Sequence, residues 1–171
     1  QIVRQDLTIY KIIANIPYNI TGAILKKFLT EKNQPESMVL MVQHEVAKRI
    51  MAQDKKESML SLSVKAYGEP KMIMKVPARY FSPRPKVDSA IISIKNISRN
   101  KLVNLAGRQI LDEEKFWKIV KTGFAHKRKK LSSNLKNTIS CQGESLTFLG
   151  NKRAENLTLE DWILLTKECY N

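Results

Sequence analysis

The chain has 171 residues, with 30 Lys+Arg against 16 Asp+Glu, a formal net charge of +14 at pH 7, and a composition 43% hydrophobic, 7% aromatic and 27% charged. That suits one domain, or one with a small appendage: apolar side chains suffice for a packed core, and charges of both signs argue against a disordered polyelectrolyte. No apolar run reaches the ~20 residues of a membrane-spanning helix, and Cys141 and Cys169 are too few and too far apart for a disulfide scaffold or a zinc knuckle.

A reducing, intracellular setting without a metal site follows from that cysteine usage. The opening Gln1-Ile-Val-Arg-Gln-Asp6 carries neither an initiator Met nor a signal-peptide pattern. Residues 10–16 form a short apolar, β-branched run and predict a buried strand that stops at Pro17. Thr21 is expected to cap a helix over 21–31, with Ile24, Leu25, Phe28 and Leu29 on one face. Residues 37–43 predict a second buried strand, and 45–53 a short helix with Val46, Ile50 and Met51 inward. Residues 58–67 are ambiguous between strand and helix, and Gly68-Glu-Pro70 reads as a turn.

Residues 71–76 and 87–95 read as strands joined by a stiff Pro- and Arg-rich connection, Pro77 to Lys86. Apolar periodicity fades over 96–109, which reads as a linker. Asp112, followed by Glu113 and Glu114, predicts the N-cap of a helix to about 125, and further helices are expected near 128–138 and 158–169. The fold class is therefore α/β: a layered sheet with strands buried on both faces over residues 1–100, then a small all-helical domain over 101–171. As the first strand, residues 12–16 would leave an apolar edge bare, which suggests that a preceding half is missing.

The charge is concentrated. Between Lys115 and Lys136 lie eight Lys/Arg and no acid. An amphipathic membrane-surface helix is the rival reading. Nucleic acid is favoured because the densest cluster, Lys127-Arg128-Lys129-Lys130, follows the apolar residues and does not interleave with them.

Asn15-Ile16-Pro17-Tyr18 follows directly on the first strand, and the carboxyl ends of strands are where open α/β sheets place ligands. The Asn15 side-chain oxygen and the Ile16 carbonyl are acceptors suited to the two hydrogens of an exocyclic amine, Pro17 stiffens the backbone, and Tyr18 offers a face for stacking. Four residues alone read better as an ordinary strand end with a turn. Further segments reverse that preference. Asn15-Ile-Pro-Tyr18 resembles the Asn-Leu/Ile-Pro-Tyr motif of the adenine-N6 rRNA methyltransferases. Four more blocks are similar to that family's and fall in its order: Met41-Val-Gln-His-Glu-Val-Ala-Lys-Arg49, Phe81-Ser-Pro-Arg-Pro-Lys-Val-Asp-Ser-Ala90, Phe124 to Leu131 with Asn134-Leu135, and Arg153-Ala-Glu-Asn-Leu-Thr-Leu-Glu160. Within the family, the Pro-Lys-Val-Asp-Ser and Arg-Ala-Glu-Asn-Leu stretches resemble the small-subunit (kasugamycin-sensitivity) adenine dimethyltransferases more than the erythromycin-resistance enzymes.

The resemblance implies a partial Rossmann-like class I methyltransferase sheet, of which this chain holds the C-terminal strands, followed by a helical RNA-binding domain. It implies S-adenosylmethionine-dependent dimethylation of adenine N6 in small-subunit rRNA, during ribosome biogenesis on a pre-30S-type particle. It also implies a cytoplasmic location, no membrane contact, and a monomer for the intact enzyme. Asn15, Ile16, Pro17 and Tyr18 are the implied catalytic residues, with Phe81 against the other face of the target base. Asn15 is the single cofactor contact that carries over, because the sequence has no Gly-x-Gly turn. The isolated chain is accordingly expected to bind S-adenosylmethionine weakly or not at all. Arg84, Lys86, Lys127, Arg128, Lys129, Lys130 and Arg153 are the implied RNA contacts. His44 reads as incidental, and Trp117 and Trp162 as core. The alternative from another class is a non-catalytic RNA-binding or ribosome-assembly factor.

Overall fold

The computed structural model describes residues 9–102, 111–136 and 144–170. They fall into two compact units, one made of Gln1–Met51 and Ser63–Ser98, the other of Ala52–Leu62 and Arg99–Asn171. Among the described residues no helix is long and apolar enough to cross a membrane.

The first unit is built on a four-stranded sheet. Its strands are β1 (Lys11–Asn15), β2 (Ser37–Gln43), β3 (Glu69–Val76) and β4 (Ser89–Lys95), in the order β1-β2-β4-β3. β1 runs parallel to β2, and β4 runs antiparallel to both β2 and β3. Met38, Leu40 and Val42 of β2 and Ala90, Ile92 and Ile94 of β4 are fully buried. These six pair across the two strands and share one face of the sheet. On the opposite face Ser89 and Ser93 of β4 are buried but Val39 and Met41 of β2 are only half-buried. The expected burial on both faces thus holds for β4, is partial in β2 and fails for the outer two strands. Ile13 of β1 is 83% exposed, and Ile73 and Met74 of β3 are each 53% exposed. An outer strand has a neighbour on one side only, and among the described residues nothing covers these side chains.

Local chemistry explains where the helices begin. α1 (Thr21–Thr30) buries Leu25 and Leu29, but Thr21 is not its cap. Its hydroxyl donates to the Tyr18 carbonyl at 3.0 Å, so Thr21 is already inside the helix and ties it to the preceding turn. α2 (His44–Met51) turns Ala47 and Ile50 inward, with Val46 and Met51 only half-buried, and packs against β3 and β4.

The ambiguous segment is helical, α3 (Met59–Lys65). Ser58 and Ser61 cap it reciprocally: the Ser61 N–H donates to Ser58 Oγ at 3.1 Å, and the Ser58 N–H donates to Ser61 Oγ at 2.7 Å. The turn expected over 68–70 narrows to Gly68, because Glu69 and Pro70 already pair with β4. A β-carbon at Gly68 would lie 2.6 Å from Ile94 Cγ2, so this crossing needs glycine. Pro70 is tolerated because β3 is an outer strand.

The second unit is helical in its described part, with α4 (Glu113–Gly123), α5 (Leu131–Leu135), α6 (Glu144–Leu149) and α7 (Leu159–Tyr170). Asp112 caps α4 as expected, accepting from the Glu114 and Lys115 N–H groups at 3.0 and 3.1 Å. Phe116, Ile119, Val120, Leu131, Trp162 and Leu165 are fully buried, and Phe124 stacks on Trp162 at 5.6 Å between ring centroids. Trp162 is core as expected, whereas Trp117 is only half-buried. The helix expected near 128–138 starts only at Leu131, so Lys127 to Lys130 form a turn. Buried Asn134 holds that turn by donating to the Gly123 and His126 carbonyls. α6 has no counterpart in the sequence reading, since six residues are too few for helical periodicity to show. Cys169, for which no partner was foreseen, is disulfide-bonded; a long separation in sequence sets no distance in space. Cys141 lies outside the described residues.

Candidate active site and nucleic-acid interface

Strand register brings one end of the sheet together. Asn15, the last residue of β1, lies beside Met41 of β2; Gln43 and Val76, at the ends of β2 and β3, both face Ser89, the first residue of β4. Everything attached to those ends projects from the same edge: the turn after β1, the connection after β3 and the residues entering β4.

Pro17, at φ −58° and ψ 133°, starts a 3-10 turn over Tyr18–Ile20. The turn satisfies itself through the Pro17 carbonyl, which accepts from the Ile20 N–H at 3.2 Å, and the Tyr18 carbonyl, which accepts from Thr21. The Ile16 carbonyl takes no part in these bonds. Ile16 itself is buried and seats the turn on the core. The Asn15 side chain is exposed and has no hydrogen-bond partner among the described residues. Two acceptors therefore stand on consecutive residues at the carboxyl end of a strand. Half-buried Tyr18 is anchored at its far end, its hydroxyl 2.6 Å from Ser89 Oγ.

The connection after β3 is held just as firmly. A 3-10 turn, Ala78–Tyr80, follows Pro77, and Phe81 leaves it extended and half-buried. Asp88 fastens this turn: Oδ1 accepts from the Ala78 N–H at 2.9 Å, Oδ2 meets Lys75 Nζ at 2.8 Å, and the Asp88 carbonyl accepts from the His44 N–H at 2.9 Å. The hydrogen bond from Lys75, then that from Ala78, holds the Asp88 carboxyl below the ordinary aspartate value. Asp88 and Ser89 are thus consecutive braces, one holding the Phe81 connection and the start of α2, the other Tyr18. Sequence reasoning had them only as letters in a motif. An Asp-Ser pair entering a strand gives no sign of which loops it will tie, because those loops lie far off in the chain. His44, set aside as incidental, joins the brace through its backbone.

Arg84 and Lys86 are exposed on the same connection, beyond a cis Ser82–Pro83 bond. In the second unit, Lys127, Arg128, Lys129 and Lys130 are exposed on the turn between α4 and α5, and Arg153 is exposed. The Leu131 N–H donates to the Lys152 carbonyl at 2.8 Å, and Lys130 Nζ donates to Asn151 Oδ1 at 3.2 Å, so Lys152 and Arg153 join the basic turn. None of these six second-unit cations is ion-paired among the described residues. Lys152 was missed because a lone lysine carries no spacing signal.

A methyl-donor cofactor of nucleoside type needs close backbone approach at a Gly-rich turn and an acid for its ribose. At the carboxyl end of β1 the described residues offer exposed Asn15 toward such a donor.

A family model described as ribosomal RNA adenine dimethylase matches residues 4–170. Proteins named Ribosomal RNA small subunit methyltransferase A are similar to the chain. That of Dehalococcoides mccartyi is 39% identical over 163 residues, covering 91% of this chain and 54% of the relative. That of Fusobacterium nucleatum is 37% identical over 164 residues, covering 92% and 60%. The chain thus spans little more than half the length of these relatives. Two solved structures share the fold: a dimethyladenosine transferase from Plasmodium falciparum (TM-score 0.75, 22% identity, 91% of this chain and 65% of that one) and the 23S rRNA methyltransferase ErmE (TM-score 0.72, 23% identity, 95% and 66%). The sheet is accordingly part of a Rossmann-like α/β fold, and the chain belongs to the ribosomal RNA adenine dimethylase family.

Proposed function

We propose that this chain is the substrate-binding part of an S-adenosylmethionine-dependent dimethyltransferase acting on adenine N6 in small-subunit rRNA. The observation that carries the reading is the shared sheet end, where Asp88 and Ser89 hold the Asn15–Tyr18 turn and the Phe81 connection. The exocyclic amine of adenine is a weak nucleophile because its lone pair is delocalised into the ring. Asn15 Oδ1 and the Ile16 carbonyl accept its two N–H bonds and draw the nitrogen toward tetrahedral geometry. S-adenosylmethionine supplies an electrophilic methyl group. Orientation, and acceptors placed where positive charge develops on nitrogen, provide the catalysis. No base is needed beforehand, because the proton becomes acidic only once the methylated nitrogen is cationic and then leaves to water. The adenine leaves its stack to enter the site, with Tyr18 on one face and Phe81 on the other. The second unit binds the RNA backbone through Lys127 to Lys130 and Arg153, and the first unit through Arg84 and Lys86 on the Phe81 connection.

Two tests apply. Reading the gene upstream of Gln1 comes first: a strand followed by a Gly-x-Gly turn supports the enzyme, whereas a native start at Gln1 turns the reading to the non-catalytic RNA-binding or ribosome-assembly factor. The second test uses the polypeptide that this reading frame encodes, with labelled S-adenosylmethionine and small-subunit particles. Asn15→Ala should abolish transfer while RNA affinity stays within about twofold, in line with the large losses that follow removal of a transition-state contact. Near-normal turnover in that variant overturns the assignment.

A further inference from the structure

Phe148 is 73% exposed on α6, and the family's motifs give it no task. A lone exposed aromatic is unremarkable in itself; its surroundings are not. The Lys152 ammonium lies 4.9 Å from the centre of its ring. The segment carrying Lys152 is bonded to the end of the basic turn and the first residues of α5 at three points: Leu131 N–H to the Lys152 carbonyl (2.8 Å), Ser132 N–H to the Gly150 carbonyl (3.1 Å) and Lys130 Nζ to Asn151 Oδ1 (3.2 Å). The ring therefore stands at the border of a surface carrying Lys127, Arg128, Lys129, Lys130, Lys152 and Arg153, with no ion pair to any of them among the described residues. The mount is firm. A β-carbon at Gly150 would run into the Leu146 carbonyl and lie 3.2 Å from Ser132 Cβ, so the end of α6 is closely packed against the start of α5.

Unpaired cations alone suit a duplex backbone. Cations bordering an exposed ring suit a strand with an unstacked base, since phosphates take the charges while the base covers the apolar face. We infer that Phe148 is a base-stacking position, and that the helical unit takes an unpaired nucleotide of the RNA, in a loop or bulge, beside the phosphates held by the 127–130 turn. This rests on the RNA-binding part of the proposed function and not on methyl transfer.

The test is binding of this chain to two RNAs of equal length, a hairpin with an unpaired loop and a fully paired duplex, across a salt series. Phe148→Ala should weaken hairpin binding by about 5- to 150-fold, the range for losing one base–aromatic stack. It should leave duplex binding and the salt slope unchanged. Phe148→Trp should restore the affinity, and its fluorescence should be quenched by the hairpin and not by the duplex. Lys129→Ala should weaken both RNAs alike and lower the salt slope by about one. Equal losses for hairpin and duplex in Phe148→Ala, or no loss for either, overturn the inference; the second result would leave the ring to a protein partner. Because no variant here touches the transfer site, failed methyl transfer leaves this contrast standing, and a lost contrast leaves methyl transfer standing.

Discussion

The bond between Tyr18 and Ser89 joins the turn after β1 to the start of β4, and its removal has an asymmetric cost. Ser89 is fully buried, and among the described residues Tyr18 is the sole partner of its hydroxyl. Tyr18→Phe strands that hydroxyl, which costs about 1–3 kcal/mol for an unsatisfied buried group. Ser89→Ala costs less, about 0.5–1.5 kcal/mol, because half-buried Tyr18 can turn its hydroxyl to water. The double variant strands neither group, so it should be more stable than Tyr18→Phe alone. For a chain of this size each kcal/mol moves the melting temperature by about 2–4 °C. Thermal unfolding of the four proteins, followed by circular dichroism, measures the coupling. Additive single effects, within about 0.5 kcal/mol, would refute the reasoning. A coupled pair would mean that the Tyr18 ring is aimed by a residue 71 positions away.

Asp88 should make the Phe81 connection acid-sensitive. Its carboxyl titrates below the ordinary 3.8, so its stabilising effect is present above that value and is lost as pH falls through the lowered folded value. The Ala78 amide resonance should follow this titration with a midpoint under 3.8, and Asp88→Asn should remove the inflection; a midpoint at or above that value contradicts the brace. Gly123→Ala should loosen the helical unit by at least about 1–3 kcal/mol, through overpacking. A β-carbon there would collide with Trp162 and lie 2.9 Å from Leu131 Cδ1; unchanged melting and tryptophan emission would contradict the packing described.

The sequence by itself determined the elements with strong local signals. The apolar runs of β2 and β4 and the Asp112 cap were legible because their causes lie within a few residues. So was the Asn15–Tyr18 turn, where a proline stands two residues past the end of a strand. The reciprocal cap of α3 was equally local, in Ser58 and Ser61, though apolar alternation masked it. Tertiary structure decided the rest. Strand order placed Asn15, Gln43, Val76 and Ser89 at one edge, and no local pattern encodes which strands will be neighbours. Burial of Ser89 and the meeting of Asp88 with Ala78 and Lys75 arise from that order. In the helical unit, Asn134 reaching back to Gly123 and His126 holds Lys127 to Lys130 as a turn, whereas the sequence pattern predicted a helix from about 128. Composition announces a basic surface, but only folding sets which of its cations stand unpaired beside an exposed ring.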